Sequence, residues 1–305
     1  MHIEIAQRLQ AHSHQKGARF YLPWADCEVI VYPAFLEVPS LGKIDLPFKG
    51  PIAQITTALD LERGKLEIFG SAQNGYQHVP VHYDSNTSKL FTEQGSIEVP
   101  SKKDKFIPKE KISFGSHKAQ NWNKMLLRND PAEWLPHWHR MAQWAGDITQ
   151  TIESEDSRLW DQYELCFQDY FVHETDLWKK MAVEAPSFLA PSPLIQGAAH
   201  LRSMLFRERK GQLFLLNHLP EGLVCGRYIN AVFSWGTVDM EWSKGLVRRI
   251  IIRAEKNQEI ELNFPKAIKH YRLCNSFTKN VLTNENYKPI TLTAQTEYYL
   301  DRFEK

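Results

Sequence analysis

The apolar residues of this chain change period twice, and that limits the folds open to it more than any other feature. Over residues 18 to 99 they fall in short runs. The run from Cys27 to Tyr32 is β-branched and partly alternating, and runs from Lys65 to Phe69 and from Tyr76 to Tyr83 follow. Between them stand turn-forming residues: Arg63-Gly64, Asn74-Gly75, Asp84-Ser85-Asn86 and Gln94-Gly95. Asn-Gly is a strong signal for a tight hairpin turn. Short strands at regular spacing, with no helical-period run between them, predict an antiparallel sandwich rather than βαβ units.

The period then lengthens. Residues 101 to 112 form a basic, proline-containing stretch that reads as a linker, with Asp104 and Glu110 diluting its charge. Ser116 is placed to cap a helix running to Arg128. Asp130-Pro131-Ala132-Glu133 is a capping box with proline at the first helical position. Trp134, Trp138, Met141 and Ala145 recur at helical spacing and predict a core stripe. Pro136 sits deep enough to predict a kink or restart. A last helix is expected from Leu194 to Arg209, capped by Ser192-Pro193 and stopped by Gly211. From residue 212 the short runs return: a turn at Glu241–Gly245, a buried strand at Ile250-Ile251-Ile252, alternation from Ile260 to Phe264, and closing runs at Thr291 and Tyr298. The expected fold class is therefore α+β. An N-terminal antiparallel β-sandwich (1–100) and a linker (101–112) precede a short helical middle (113–210) and a C-terminal antiparallel β module (211–305).

At 305 residues the chain is about twice the usual single-domain size, long enough for two or three cores. Hydrophobic residues at 43% and charged residues at 24% are ordinary globular values and argue against disorder. A net charge of +1 supplies no field for nucleic acid or an anionic membrane, so neither partner is expected. The first residues lack the basic, apolar and small-residue pattern of a signal peptide, and no apolar run is long enough to span a bilayer. Cys27, Cys166, Cys225 and Cys274 form no C-x-x-C pair and read as reduced, mostly buried thiols. These features predict a cytoplasmic protein.

Nucleotide-binding glycine loops, a hydrolase elbow and H-E-x-x-H are all absent, so no cofactor is expected. His137-Trp138-His139 suggests a metal site only on a strand. On a helix the two histidines point to different faces, and no metal is expected. Asp161, Glu164, Asp169 and Glu174 lie in one helical stretch, with Asp161 and Glu164 on one face. Paired carboxylates are what glycoside hydrolysis uses, and a solvated helix face is the alternative. His117, Trp122, His137 and Trp138 form the densest polar and aromatic set, a candidate ligand site near a helix N-terminus. The nine tryptophans either fill core space or offer platforms for sugar faces.

Two further segments carry a resemblance. One runs from Gly197 through Met204-Leu205 to Gly222, and the other contains Gly226-Arg227-Tyr228 and Val238-Asp239-Met240-Glu241-Trp242-Ser243-Lys244-Gly245. Their order and spacing resemble the closing part of family ninety-five glycoside hydrolases, the α-L-fucosidase type, over residues 190 to 262. The resemblance implies an (α/α)₆ catalytic barrel between two β-rich modules. Twelve helices with connections need about 180 residues, so the stretch from 113 to 210 cannot close that barrel. The family's Asp on the base side of the reaction falls at Ser192, which has no accessible charged form near pH 7. The resemblance therefore implies a largely lost catalytic domain and a non-catalytic protein binding a carbohydrate or a protein partner. A glycosidase rebuilt on Asp161, Glu164, Asp169 or Glu174, and a purely structural interaction module, are the competing readings.

Overall fold

The computed structural model describes residues 2–6, 8–100, 108–115, 130–149, 191–216, 219, 223–264, 268–276, 281–285 and 288–304. The fold is α+β: antiparallel sheets at both ends flank a short helical middle.

The N-terminal part is two sheets. One has the order β1 (Gln10–Ser13), β6 (Gln54–Asp60), β7 (Lys65–Ala72), β8 (Gly75–Asp84), β9 (Lys89–Thr92), β10 (Gly95–Glu98). The other runs β2 (Ala18–Leu22), β3 (Cys27–Val31), β4 (Phe35–Val38), β5 (Gly42–Asp45). The inward residues of each strand alternate with outward ones, as in β7, where Leu66, Ile68 and Gly70 are buried and Lys65 is exposed. Gly70 is small for a reason. A β-carbon there would run into the ring of Phe48, which the core holds in place. The tight turn expected at Asn74-Gly75 falls one residue earlier, at Gln73-Asn74, and Gly75 opens β8 with a positive φ of 95°.

The helical middle contributes two described helices, α1 (Pro131–Ala145) and α2 (Pro191–Leu205), which pack on each other. Asp130 caps α1 by accepting from the Ala132 N–H at 3.0 Å, with Pro131 at the first position, as the sequence predicts. Trp134, Trp138, Met141 and Ala145 are all buried. Pro136 neither breaks nor restarts the helix, contrary to expectation. It lies only one and a half turns in, and packing all round the helix, Pro136 included, offsets the single missing N–H.

The C-terminal part is again two sheets. The larger has the order β11 (Lys111–Ser113), β14 (Gly226–Phe233), β15 (Gly236–Ser243), β16 (Leu246–Ala254), β21 (Thr296–Glu304), β18 (His270–Asn275), β19 (Val281–Glu285). The smaller runs β12 (Phe206–Arg209), β13 (Gln212–Leu215), β17 (Gln258–Asn263), β20 (Ile290–Leu292). Within this otherwise antiparallel part, β13 and β17 pair in parallel. Lys244 and Gly245 both take positive φ, 55° and 68°, and close the β15–β16 hairpin where the sequence places a turn.

Two further stretches differ from the sequence reading. The end of the expected linker is a strand, since β11 adds to the edge of the larger C-terminal sheet beside β14. The last helix stops at Leu205 instead of Arg209, and Phe206–Arg209 becomes β12. Lys210 and Gly211, with φ of 49° and 79°, then form a two-residue hairpin turn into β13. Gly211 thus turns a hairpin rather than ending a helix. A positive φ serves either purpose, which is why one glycine reads both ways.

Candidate functional site

The helices meet the C-terminal sheets around a buried carboxylate. Glu110, immediately before β11, is 2% exposed. Both its oxygens accept from Arg202 Nε of α2, at 3.0 and 3.1 Å. Oε1 also accepts from the Val232 backbone N–H at 2.8 Å, and Oε2 from the Tyr228 hydroxyl. Arg202 donates from Nη2 to the Val232 carbonyl at 2.5 Å, so one charged pair ties β11, α2 and β14 together.

Helix α1 joins through Gln143 and His139. Gln143 Nε2 donates to the Glu110 carbonyl at 2.8 Å and to His139 Nδ1 at 3.0 Å, while its Oε1 accepts the Lys109 and Glu110 N–H groups at 3.0 Å each. His139 Nε2 lies 2.8 Å from the Tyr228 hydroxyl. The tautomer follows from this network. Tyr228 gives its proton to Glu110, so its oxygen must accept from His139 Nε2–H. His139 is then neutral, with Nδ1 as acceptor. Its pKa agrees: burial, and then the Arg140 and Arg202 cations, lower it to about 3. Burial, and then the Glu110 charge, push Tyr228 well above its ordinary value. For Arg202 burial works against the cation, but Glu110 outweighs it and the pKa rises.

The far side of α1 holds the N-terminal sandwich. Trp144 Nε1 donates to the Leu61 carbonyl at 2.8 Å and its ring meets Trp24 edge-on at 5.7 Å. Arg140 reaches Glu62 at 3.3 Å, and Lys111 reaches the same carboxylate at 3.2 Å.

A cleft of about 290 Å³ opens where α2 runs into β12. Its walls include Arg202, Ser203, Arg207, Glu208, Phe233 and Ser234, with Thr149 at the edge. The Arg202 guanidinium lies 4.9 Å above the Phe233 ring, and Phe233 stacks on Trp235 at 5.0 Å. Glu208 accepts from Trp235 Nε1 at 3.2 Å. The volume suits a ligand at the small end of the usual range.

Of the residues singled out from the sequence, His137 and Trp138 are interior, at 0% and 1% exposure. Burial lowers the His137 pKa to about 4, and its Nδ1 lies 3.2 Å from the Glu133 carbonyl. The cleft does not use either. Trp24, Trp134, Trp235 and Trp242 are also buried, and Trp144 is half-buried, so these rings fill core space. Cys27 is buried, with its thiol pushed up to about 12 chiefly by burial, whereas Cys225 is exposed, contrary to expectation. The candidates His117 and Trp122 and the carboxylates Asp161, Glu164, Asp169 and Glu174 lie outside the described residues. Ser192 lies inside α2, which spans Pro191–Leu205, so it does not cap a helix starting at Leu194 as expected. Among the described residues no group of three or more His, Cys, Asp or Glu is placed to hold a metal, and no helix is long and apolar enough to cross a membrane.

The fold and cleft together define a class of protein: two sheet-rich modules on either side of α1, the C-terminal one tied to the helices by a buried acid–arginine cluster with a small polar cleft beside it. Compared with known proteins, the chain matches no family model and no curated protein.

Proposed function

We propose that this chain is a non-catalytic relative of glycoside hydrolases that holds a sugar in the cleft beside α2. The observation that carries the reading is the make-up of the cleft wall. It offers guanidinium, hydroxyl and aromatic groups, the chemistry that hydrogen-bonds and packs a polyhydroxylated ring, and a single carboxylate among the described residues. Glycosidases need two carboxyl groups facing across the scissile bond, about 5 to 9.5 Å apart. Glu208 accepts the Trp235 N–H, and Glu110, the nearest buried carboxylate, is sequestered by three donor groups. The resemblance over residues 190 to 262 supports the same reading, because that stretch builds α2, β12 and β14. In it Ser192 stands where the family's Asp would act as base, and a hydroxyl cannot take that role near pH 7.

The reading is tested with a glycan array and an assay of an activated aryl α-L-fucoside at high protein concentration. Retention of a glycan, lost in Ser234→Trp, with no fucoside turnover, is the expected result. Ser234 is exposed at the cleft mouth, so the indole should fill the opening without disturbing the core. Turnover abolished by mutating Asp161, Glu164, Asp169 or Glu174 would replace this reading with a rebuilt active site. Retention of no glycan at all would leave an interaction module.

A further inference from the structure

One cation of the cleft wall has no carboxylate partner among the described residues. Arg202 is matched by Glu110, whose two oxygens it bridges through Nε. Glu208 accepts the Trp235 N–H, a neutral donor that fixes the carboxylate without cancelling its charge. Arg207 remains. It lies half-buried in the cleft wall on β12, and no carboxylate among the described residues pairs with it. A half-buried guanidinium keeps its full charge and five donors in a fixed fork, a geometry matched to a planar carboxylate. Ser203, Phe233 and Ser234 line the same cleft. Ser203 donates its hydroxyl proton to the His200 carbonyl at 2.7 Å, so toward a ligand its oxygen would act as an acceptor.

We infer that the cleft selects a sugar acid, its carboxylate paired with Arg207 and its ring hydroxyls met by the serines. This inference rests on the glycan-binding reading above and names its ligand class. Arg202 is a positioning element here: its own charge is spent on Glu110, and it shapes the wall by covering Phe233. Arg209, two residues further along β12, is exposed and outside the cleft, so it supplies an internal comparison.

The test is NMR titration of the full chain with galacturonate and with galactose, in wild type, Arg207→Ala, Arg207→Lys and Arg209→Ala. Each variant is first checked for an unchanged melting transition. Wild type should bind galacturonate about tenfold more tightly than galactose, the effect of one charge-assisted hydrogen-bonded pair in a partly desolvated site. Arg207→Ala should weaken galacturonate binding about tenfold, Arg207→Lys by less, and Arg209→Ala by under about twofold. Equal affinity for the two sugars would overturn the inference while leaving the glycan reading intact. Equal losses in Arg207→Ala and Arg209→Ala would reduce it to a diffuse positive field and also overturn it. Binding of neither sugar, with an empty glycan array, would remove both readings. Should Arg207→Ala melt early, the wild-type preference for galacturonate, and its weakening as salt is raised, still decide the matter.

Discussion

Arg202 Nε bridges the two carboxylate oxygens of Glu110 at 3.0 and 3.1 Å, and both side chains are withdrawn from water. A buried pair of this kind is a weak source of net stability but a costly one to break, because removing one partner strands the other charge. Glu110→Gln should therefore cost about 3 to 5 kcal/mol, measured as a shift in the urea midpoint. The double variant Glu110→Gln with Arg202→Met should recover much of that loss. A double variant as unstable as the sum of the two singles would show that the pair does not act as a unit.

Acid should destabilise the protein well before its carboxylates titrate. His139 and His137 have folded-state values of about 3 and about 4, below the ordinary 6.5, chiefly because burial disfavours the imidazolium. On acidification the unfolded chain takes up protons first, so their contribution is intact above pH 6.5 and is lost as pH falls toward 4 for His137 and toward 3 for His139. With two such groups the slope approaches about 2.7 kcal/mol per pH unit near pH 5. Urea midpoints at pH 7.5, 6.5 and 5.5 check this, since ordinary carboxylates titrate below that range. A flat profile between pH 7 and 5.5 would count against neutral, buried histidines.

The cap on α1 is worth a smaller, local amount. Asp130 accepts the Ala132 N–H at 3.0 Å and also sits at the positive end of the helix dipole. Asp130→Ala should lower stability by about 1 kcal/mol, and Asp130→Ser should lose much less. Equal losses in both would mean that the side-chain acceptor is not what matters.

Local signals explain which elements the sequence made visible. The Asp130-Pro131 cap, the Trp134–Ala145 stripe and the Lys244-Gly245 turn depend on residues within a few positions of one another, and each is where it was expected. Phe206–Arg209 continues a helical pattern in the sequence, and only pairing with β13 makes it a strand. The site was harder still. Glu110 reads as one acidic residue diluting a basic linker, and its partners are 92 and 118 residues away. Arg202 and Tyr228 fall inside the segments that carry the resemblance, yet no spacing rule joins them to Glu110. His137 and Trp138 form a dense polar and aromatic pair in the sequence. That density instead marks residues facing the interior.

Gly226 should be among the least replaceable glycines of the chain. It opens β14 beneath the Trp242 ring, and a β-carbon there would stand 2.5 Å from the Ser113 carbonyl oxygen and closer still to the indole. Neither neighbour can give way. Ser113 belongs to β11 and is paired with Arg227, while Trp242 is 1% exposed and donates Nε1–H to the Leu223 carbonyl at 2.9 Å. Gly226→Ala should therefore cost about 1 to 3 kcal/mol through overpacking and loosen β11, the strand that carries Glu110 into the cluster. Gly95 opens β10 in the same way, but a β-carbon there would meet only Ile44, at an ordinary 3.6 Å. Gly95→Ala should stay within about 0.5 kcal/mol of wild type. Hydrogen exchange of the amides in β11, compared between the two variants, locates the effect. Faster exchange in β11 for Gly226→Ala alone is expected, and equal behaviour of the two alanines would refute the steric argument.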